Sequence, residues 1–363
     1  MMTSVRVHAD VKSAMQQFQA PERLGFGIVM APVMYRIEYQ DGRWWDGELL
    51  PYGPIAIEPA AKVFHYAQEI FEGLKAYLVD TEQAVLFRPE MNWARFNASA
   101  QRLCMPELPE KIFMEALQSV TAHCENIIPK ISGQSLYLRP FMMGTQADLS
   151  VSGSNTYSFF VIASPSEAYH NGSMRVMVER QDSRAAVGGT GAAKVGGNYA
   201  ASLLSVRRTH EQGFDQSLWL HPSDRQHIEE LSGMNFFAVI EGELHTPQLN
   251  GSILPGVTRD SLLELARAMD IGVHERPIEV DELLAQVSAG TCTEAFACGT
   301  AAIISSISLF SDVGNIYELP ASPGPIAEQL RHRLLDIQEG RSKDVFDWVR
   351  TIGSEFYPAL KSI

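Results

Sequence analysis

One lysine stands in the run Ala185-Ala-Val-Gly-Gly-Thr-Gly-Ala-Ala-Lys-Val-Gly-Gly-Asn-Tyr199. Small neighbours let backbone and ligand approach Lys194 closely. A desolvated lysine loses basicity and gains the nucleophilicity that Schiff-base chemistry needs. Taken alone, the run equally describes a surface loop with a solvated lysine. It is not a phosphate-binding P-loop, because no Ser or Thr follows Lys194.

Three further segments carry weak signals of their own. Ile228-Glu-Glu-Leu-Ser-Gly-Met-Asn-Phe-Phe237 sets Glu230 just before a strand and beside a tight Ser-Gly turn, in place to face a cationic ring nitrogen. By itself this is a solvated acid, the usual fate of Glu. Ile253-Leu-Pro-Gly-Val-Thr-Arg-Asp-Ser261 opens an amphipathic helix, whose unpaired first N–H groups suit a phosphate. The ordinary alternative is a capped helix, with Thr258 as cap and Asp260 in the first turn. Glu294-Ala-Phe-Ala-Cys-Gly-Thr-Ala-Ala302 places Gly-Thr-Ala between two apolar strands, either as an anion-facing turn or as a plain connection. Together the four segments supply a lysine, a carboxylate for a pyridinium and two anion sites in one half of the chain. That is the inventory for pyridoxal 5′-phosphate.

The elements that must hold these residues read as mixed α and β. In the first half, strands are expected at Val33–Tyr39, Arg43–Gly47, Leu74–Val79, Ala84–Phe87, Ser135–Met143 and Thr156–Ala163. Helical spacing covers 91–104 and 109–128. In the second half, a strand at Met174–Glu179 leads through the Gly/Ala-rich loop into a helix at about 198–212. Strands at 216–221 and 234–240, a helix from Val257 to Met269, strands at 293–298 and 301–309, and a helix over 325–339 follow. The turn-rich stretch from Ser164 to Ser173 marks a boundary. The expected division is a small N-terminal domain over 1–165, a connecting loop over 166–175 and a larger lysine-bearing domain over 176–363.

With 363 residues the chain is long enough for two domains and a sizeable core. Its 45% hydrophobic and 20% charged residues exclude a wholly disordered protein. Lys and Arg number 29 against 43 Asp and Glu, a net charge of −14 that argues against nucleic-acid or anionic-membrane partners. Cys104, Cys124, Cys292 and Cys298 show no metal-ligand spacing, and no H-E-x-x-H occurs, so no metal site is expected. The N-terminal residues lack the apolar core of a signal peptide, and no apolar run is long enough for a bilayer. The expectation is a cytoplasmic protein with reduced thiols.

On these four segments the chain resembles the branched-chain amino acid aminotransferases, pyridoxal-phosphate enzymes of fold-type IV. His65-Tyr-Ala-Gln-Glu-Ile-Phe-Glu-Gly-Leu-Lys-Ala-Tyr77, Phe87-Arg-Pro-Glu-Met-Asn-Trp-Ala-Arg95 and Leu136-Tyr-Leu-Arg-Pro-Phe141 extend the resemblance from about Leu24 to Trp348. It implies two lobes, α+β to α/β in class, with a small N-terminal α/β domain and a larger mixed, β-barrel-like domain, the active site lying between them. It implies that Lys194 forms an internal aldimine and shuttles the α-proton, that Glu230 keeps the pyridine nitrogen protonated, and that Tyr199 binds the phenolate oxygen. Arg95, the N–H groups of Val257 and Thr258, and the Thr300 hydroxyl would take the phosphate. Tyr137 and the N–H groups of Thr300 and Ala301 would hold the substrate α-carboxylate, and Arg139 the distal carboxylate of glutamate. Tyr66, Phe71 and Tyr199 would wall an apolar pocket. Leu149 and Val151 would reach the active site of a second copy in a homodimer.

The implied reaction is ping-pong transamination between leucine, isoleucine or valine and 2-oxoglutarate. Where the family carries Thr-Asp-His-Met, this chain reads Ala31-Pro-Val-Met34, with Met30 at the place of a pocket aromatic. That departure keeps open an aminotransferase for aromatic or nonstandard amino acids. A catalytically inactive dimeric binding relative is the alternative of another class, and the presence of Arg95, Lys194, Tyr199 and Glu230 argues against it. Ala302 and Ser305 stand where animal members carry a redox C-x-x-C, so that switch is absent.

Overall fold

The computed structural model describes residues 5–168 and 172–358. The chain forms two compact units, one comprising Met1–Tyr169 with Asp336–Ile363, the other His170–Leu335. The C-terminal segment was expected in the second domain. It belongs to the first unit instead, because Val349–Thr351 pairs antiparallel with Val85–Phe87 at a sheet edge. Its return makes the first unit the larger of the two. Part of the expected connecting loop, residues 169–171, lies outside the described residues.

In the first unit a ten-stranded sheet runs in the order Arg6–Val7, Glu48–Pro51, Val33–Gln40, Tyr157–Ser166, Ser135–Gly144, Leu74–Tyr77, Val85–Phe87, Val349–Thr351. Glu69–Phe71 pairs with Ser135–Gly144 off this path. The helices Pro89–Arg102 and Glu110–His123 contribute Phe96 and Phe113, which meet Phe159 in an aromatic cluster with centroids 5.5–6.1 Å apart. All three rings are fully buried, each contributing roughly 1.5–3 kcal/mol of hydrophobic stabilisation. The helix expected over 109–128 stops at His123 and continues only as a 3-10 turn, Glu125–Ile127. Pro129 accounts for the end of that turn at Ile127, since the residue before a proline is driven out of the helical region. Ile128 is extended, at φ −69° and ψ 123°.

In the second unit a nine-stranded sheet closes on itself. The ring runs Ile228–Leu231, Gln216–Leu220, Met174–Glu179, Ile303–Asp312, Cys292–Gly299, Asn235–Ile240 and back to Ile228–Leu231 through Glu230↔Asn235. Each of the six strands contributes to one core: Leu231, Leu218, Val176, Ile307, Ala295 and Phe236. Met174–Glu179 and Gln216–Leu220 are parallel. A parallel pair requires a crossover, and the helix Gly196–Glu211 supplies it. The lysine-bearing loop therefore sits where the crossover enters this helix.

Candidate active site

The lysine loop is tied rather than floppy. The Asn198 side chain donates to the carbonyls of Thr190 (2.8 Å) and Ala193 (2.9 Å) and accepts from the Thr190 hydroxyl (2.7 Å). Gly191 is required here, because a Cβ would lie 2.2 Å from the Ser252 carbonyl oxygen. Lys194 ends the loop half-buried, and its Nζ donates to the Tyr199 hydroxyl at 3.2 Å. Tyr199 lies in the first turn of the following helix.

Glu230 sits within the strand Ile228–Leu231 rather than before it, and is 4% exposed. The turn is tight: the Leu231 N–H bonds the Met234 carbonyl at 2.9 Å. Arg184 Nη2 pairs with Glu230 Oε1 at 2.7 Å, and Asn235 Nδ2 donates to Oε2 at 2.8 Å. Asn235 also donates to the Leu254 carbonyl at 2.9 Å, which ties the Pro255–Gly256 turn to the same carboxylate. Burial pushes the Glu230 carboxyl up to about 7, against the opposing pull of Arg184, the Leu254 N–H and Lys194.

Val257 and Thr258 open the helix Val257–Ala268, ahead of its first turn bond, from the Asp260 N–H to the Gly256 carbonyl at 3.0 Å. Register sets Glu230, Asn235 and Cys298 side by side across three strands. Thr300 and Ala301 follow Cys298 in the turn closed by Gly299↔Ile303. Ile303 holds φ +63°, a region β-branched residues avoid. The second unit thus brings Lys194, Tyr199, Glu230, Val257, Thr258, Thr300 and Ala301 to one end of the closed sheet.

These residues fit pyridoxal phosphate on their own chemistry. Burial raises the Glu230 carboxyl even with Arg184 paired to it, so a further cation, such as a protonated ring nitrogen, would favour its charged form. A helix N-terminus and a strand turn add N–H donors for a phosphate.

The remaining expected site residues lie in the first unit. Arg95, 8% exposed, makes a two-pronged pair with the fully buried Glu72, Nε to Oε1 at 2.7 Å and Nη2 to Oε2 at 2.8 Å. Asn92 donates to the same Oε2 at 2.7 Å. Tyr137 and Arg139 share a face of Ser135–Gly144, and Arg139 Nη2 donates to the Tyr137 hydroxyl at 2.8 Å. The guanidinium lies over the Phe71 ring at 4.7 Å. Among the described residues Arg139 forms no ion pair, and its buried Nε has no partner. Gly73 makes room for this group, since a Cβ there would lie 2.1 Å from the Tyr137 hydroxyl. Tyr66 is half-exposed and donates to the Leu149 carbonyl at 2.6 Å. Leu149 and Val151 are 65% and 88% exposed.

Sequence reasoning passed over Arg184, Asn235, Glu72 and Phe26. Phe26 packs edge-on against Tyr137 with centroids 5.0 Å apart, so the aromatic beside Tyr137 precedes Met30. Ala31 and Val33 are fully buried, and Met34 packs against Met143 and Phe160. The Ala31–Met34 segment is therefore core.

Residues 69–310 match the family model described as amino-transferase class IV. The chain is 46% identical over 335 residues to the branched-chain-amino-acid aminotransferase of Mycolicibacterium smegmatis, covering 90% of this chain and 91% of that one. It is 40% identical to branched-chain-amino-acid transaminase 1 of Bacillus subtilis, with 90% and 94% covered. Among solved structures it resembles the T.th. branched-chain amino acid aminotransferase complexed with N-(5′-phosphopyridoxyl)-L-glutamate. The TM-score is 0.71 at 26% identity, over 87% of this chain and 98% of the other. A site built around Lys194 and Glu230 and relatives this similar along nearly their whole length agree, and the chain belongs to the branched-chain aminotransferases of class IV.

Proposed function

We infer that this protein is a pyridoxal-phosphate-dependent aminotransferase exchanging the amino group of leucine, isoleucine or valine with 2-oxoglutarate. The observation that carries the reading is the Lys194–Tyr199 pair beside a buried Glu230 that Arg184 and Asn235 hold in place. When bound, the cofactor supplies an electron sink for the α-carbanion. Lys194 would anchor the cofactor covalently, and its amine would carry the proton taken from the substrate α-carbon. Tyr199 orients that amine. Glu230 would present a negative charge to the ring nitrogen. Val257, Thr258, Thr300 and Arg95 would hold the phosphate.

Substrate handling divides between apolar walls and one cation. Tyr66 and Phe71 with Tyr199 receive a branched side chain. Tyr137 and the Thr300 and Ala301 N–H groups hold the α-carboxylate. Arg139 takes the distal carboxylate of glutamate. This role is supported by a partly buried guanidinium with no ion-pair partner among the described residues, since a carboxylate makes charge-assisted bonds there. The protein works as a homodimer in the cytoplasm. The exposed Leu149 and Val151 support an apolar contact with a second copy. Four free cysteines fit a reducing compartment. Among the described residues no helix is long and apolar enough to cross a membrane.

Initial rates with L-leucine, L-isoleucine, L-valine, L-phenylalanine and D-alanine against 2-oxoglutarate test this reading. Branched L-amino acids are expected as the best donors, with parallel double-reciprocal lines. Phenylalanine or D-alanine as the best donor overturns the substrate assignment.

A further inference from the structure

Lys62 is fully buried in the first unit, within the short helix Lys62–Tyr66. Burying an ammonium costs several kcal/mol unless its donors are matched. Here the match comes from one loop. Lys62 Nζ pairs with Asp148 Oδ1 at 2.6 Å and donates to the Ser150 hydroxyl at 2.8 Å, the Ser152 hydroxyl at 3.3 Å and the Ser150 carbonyl. The Lys62 side chain holds Asp148 well below the usual carboxylate range.

Alternate residues of this loop therefore turn polar atoms onto Nζ, while Leu149 and Val151 between them point outward. Leu149 offers its carbonyl to the Tyr66 hydroxyl at 2.6 Å. Lys62 and Tyr66 are four apart, one helical turn, so both grip the same loop from one face. Nζ also lies 5.6 Å from the Tyr66 ring centroid. Backbone contacts complete the attachment, with the Lys62 N–H on the Gln146 carbonyl at 3.1 Å and a bridge between Ala61 and Ala147.

We propose that Lys62 is a positioning residue for substrate recognition, locking the 148–152 loop and through the Leu149 carbonyl fixing the orientation of Tyr66. The proposal rests on the reading of Tyr66 as a wall of the side-chain pocket. Lys62 touches neither cofactor nor substrate. Its effect is on the fit of the amino acid side chain, not on the chemical step.

The test uses the holoenzyme with Lys62→Met, Asp148→Asn and Tyr66→Ala. Asp148→Asn keeps the falsifying power if Lys62→Met does not fold, because Asp148 is partly exposed. Lys62→Met and Asp148→Asn are expected to raise amide hydrogen exchange over 149–152. They should also raise KM for L-leucine about two- to tenfold, the cost of ordering the loosened Tyr66 side chain on binding, with kcat and the visible cofactor band unchanged. Combining Lys62→Met with Tyr66→Ala should raise KM no further than Tyr66→Ala alone, since the two act through one wall. Protected loop amides, an unchanged leucine KM, or a fall confined to kcat in both variants overturns the proposal. If Tyr66→Ala itself leaves the leucine KM unchanged, the pocket-wall reading fails, and the positioning role falls with it. A normal Tyr66→Ala effect with no effect of either clamp variant overturns the Lys62 role alone.

Discussion

Replacing Glu230 by Gln separates the cost of the buried carboxylate from its use. In the cofactor-free protein, burial raises this carboxyl from 4.5 to about 7. The folded chain therefore keeps a proton that the unfolded chain has already lost. A raised carboxyl contributes stability that is complete below about pH 4.5 and is lost as the pH rises through about 7. At 1.36 kcal/mol per unit, the shift corresponds to about 3 kcal/mol. Glutamine cannot ionise and keeps one acceptor for Arg184, but its NH2 meets the Asn235 donor, which adds a cost that does not vary with pH. Denaturant unfolding of the cofactor-free proteins should show the stability of E230Q relative to wild type rising by about 3 kcal/mol between about pH 4.5 and about pH 8. With cofactor the sign reverses, because the charge is then wanted. Loss of one charge-assisted bond lowers kcat/KM by roughly 10- to 100-fold. A stability difference that does not change with pH, or one that moves against the variant as the pH rises, would falsify the assignment of a costly buried carboxylate.

Three other substitutions probe the first unit. Arg139→Leu should lower kcat/KM for 2-oxoglutarate by about 10- to 100-fold while leaving the leucine half-reaction within about twofold, as read by single-turnover spectra. Equal losses on both substrates would count against a role specific to the distal carboxylate. Gly73→Ala puts a Cβ 2.1 Å from the Tyr137 hydroxyl. Overpacking there should cost roughly 1–3 kcal/mol in thermal unfolding and raise KM for both substrates; a silent variant would mean that the close approach is dispensable. Arg95→Ala strands the buried Glu72 and should cost about 3–5 kcal/mol, with Glu72→Gln in the same chain restoring part of it. No recovery in the double variant would place the loss elsewhere than in the unpaired carboxylate.

Much of this arrangement was legible because its signals are local. Partial apolar alternation marks Ser135–Gly144 and a continuous apolar run marks Asn235–Ile240, and Pro255-Gly256 announces the helix at Val257. The lysine, its tyrosine and the carboxylate stand in short segments whose residue types restrict their chemistry. Other parts had no local signature. Arg184 follows Asp182 and Ser183 in an ordinary loop, and only folding brings it to Glu230, 46 residues later in the chain. Glu72 reads as a surface acid until the helix Pro89–Arg102 delivers Arg95 and Asn92 to it. Val349–Thr351 is too short for a periodic pattern, and its partner Val85–Phe87 lies more than 250 residues away. Lys62 follows the same logic: a lysine in sequence is expected in solvent, and only the 148–152 loop gives it a place inside.

The absorbance spectrum of the purified protein with added pyridoxal phosphate, before and after L-isoleucine, tests the central claim most directly. Wild type should show the visible band of lysine-bound cofactor, and isoleucine should bleach it toward the pyridoxamine form. Lys194→Ala should show only free or non-covalently held cofactor. No band in the wild type, or the same band in Lys194→Ala, contradicts the account of this site.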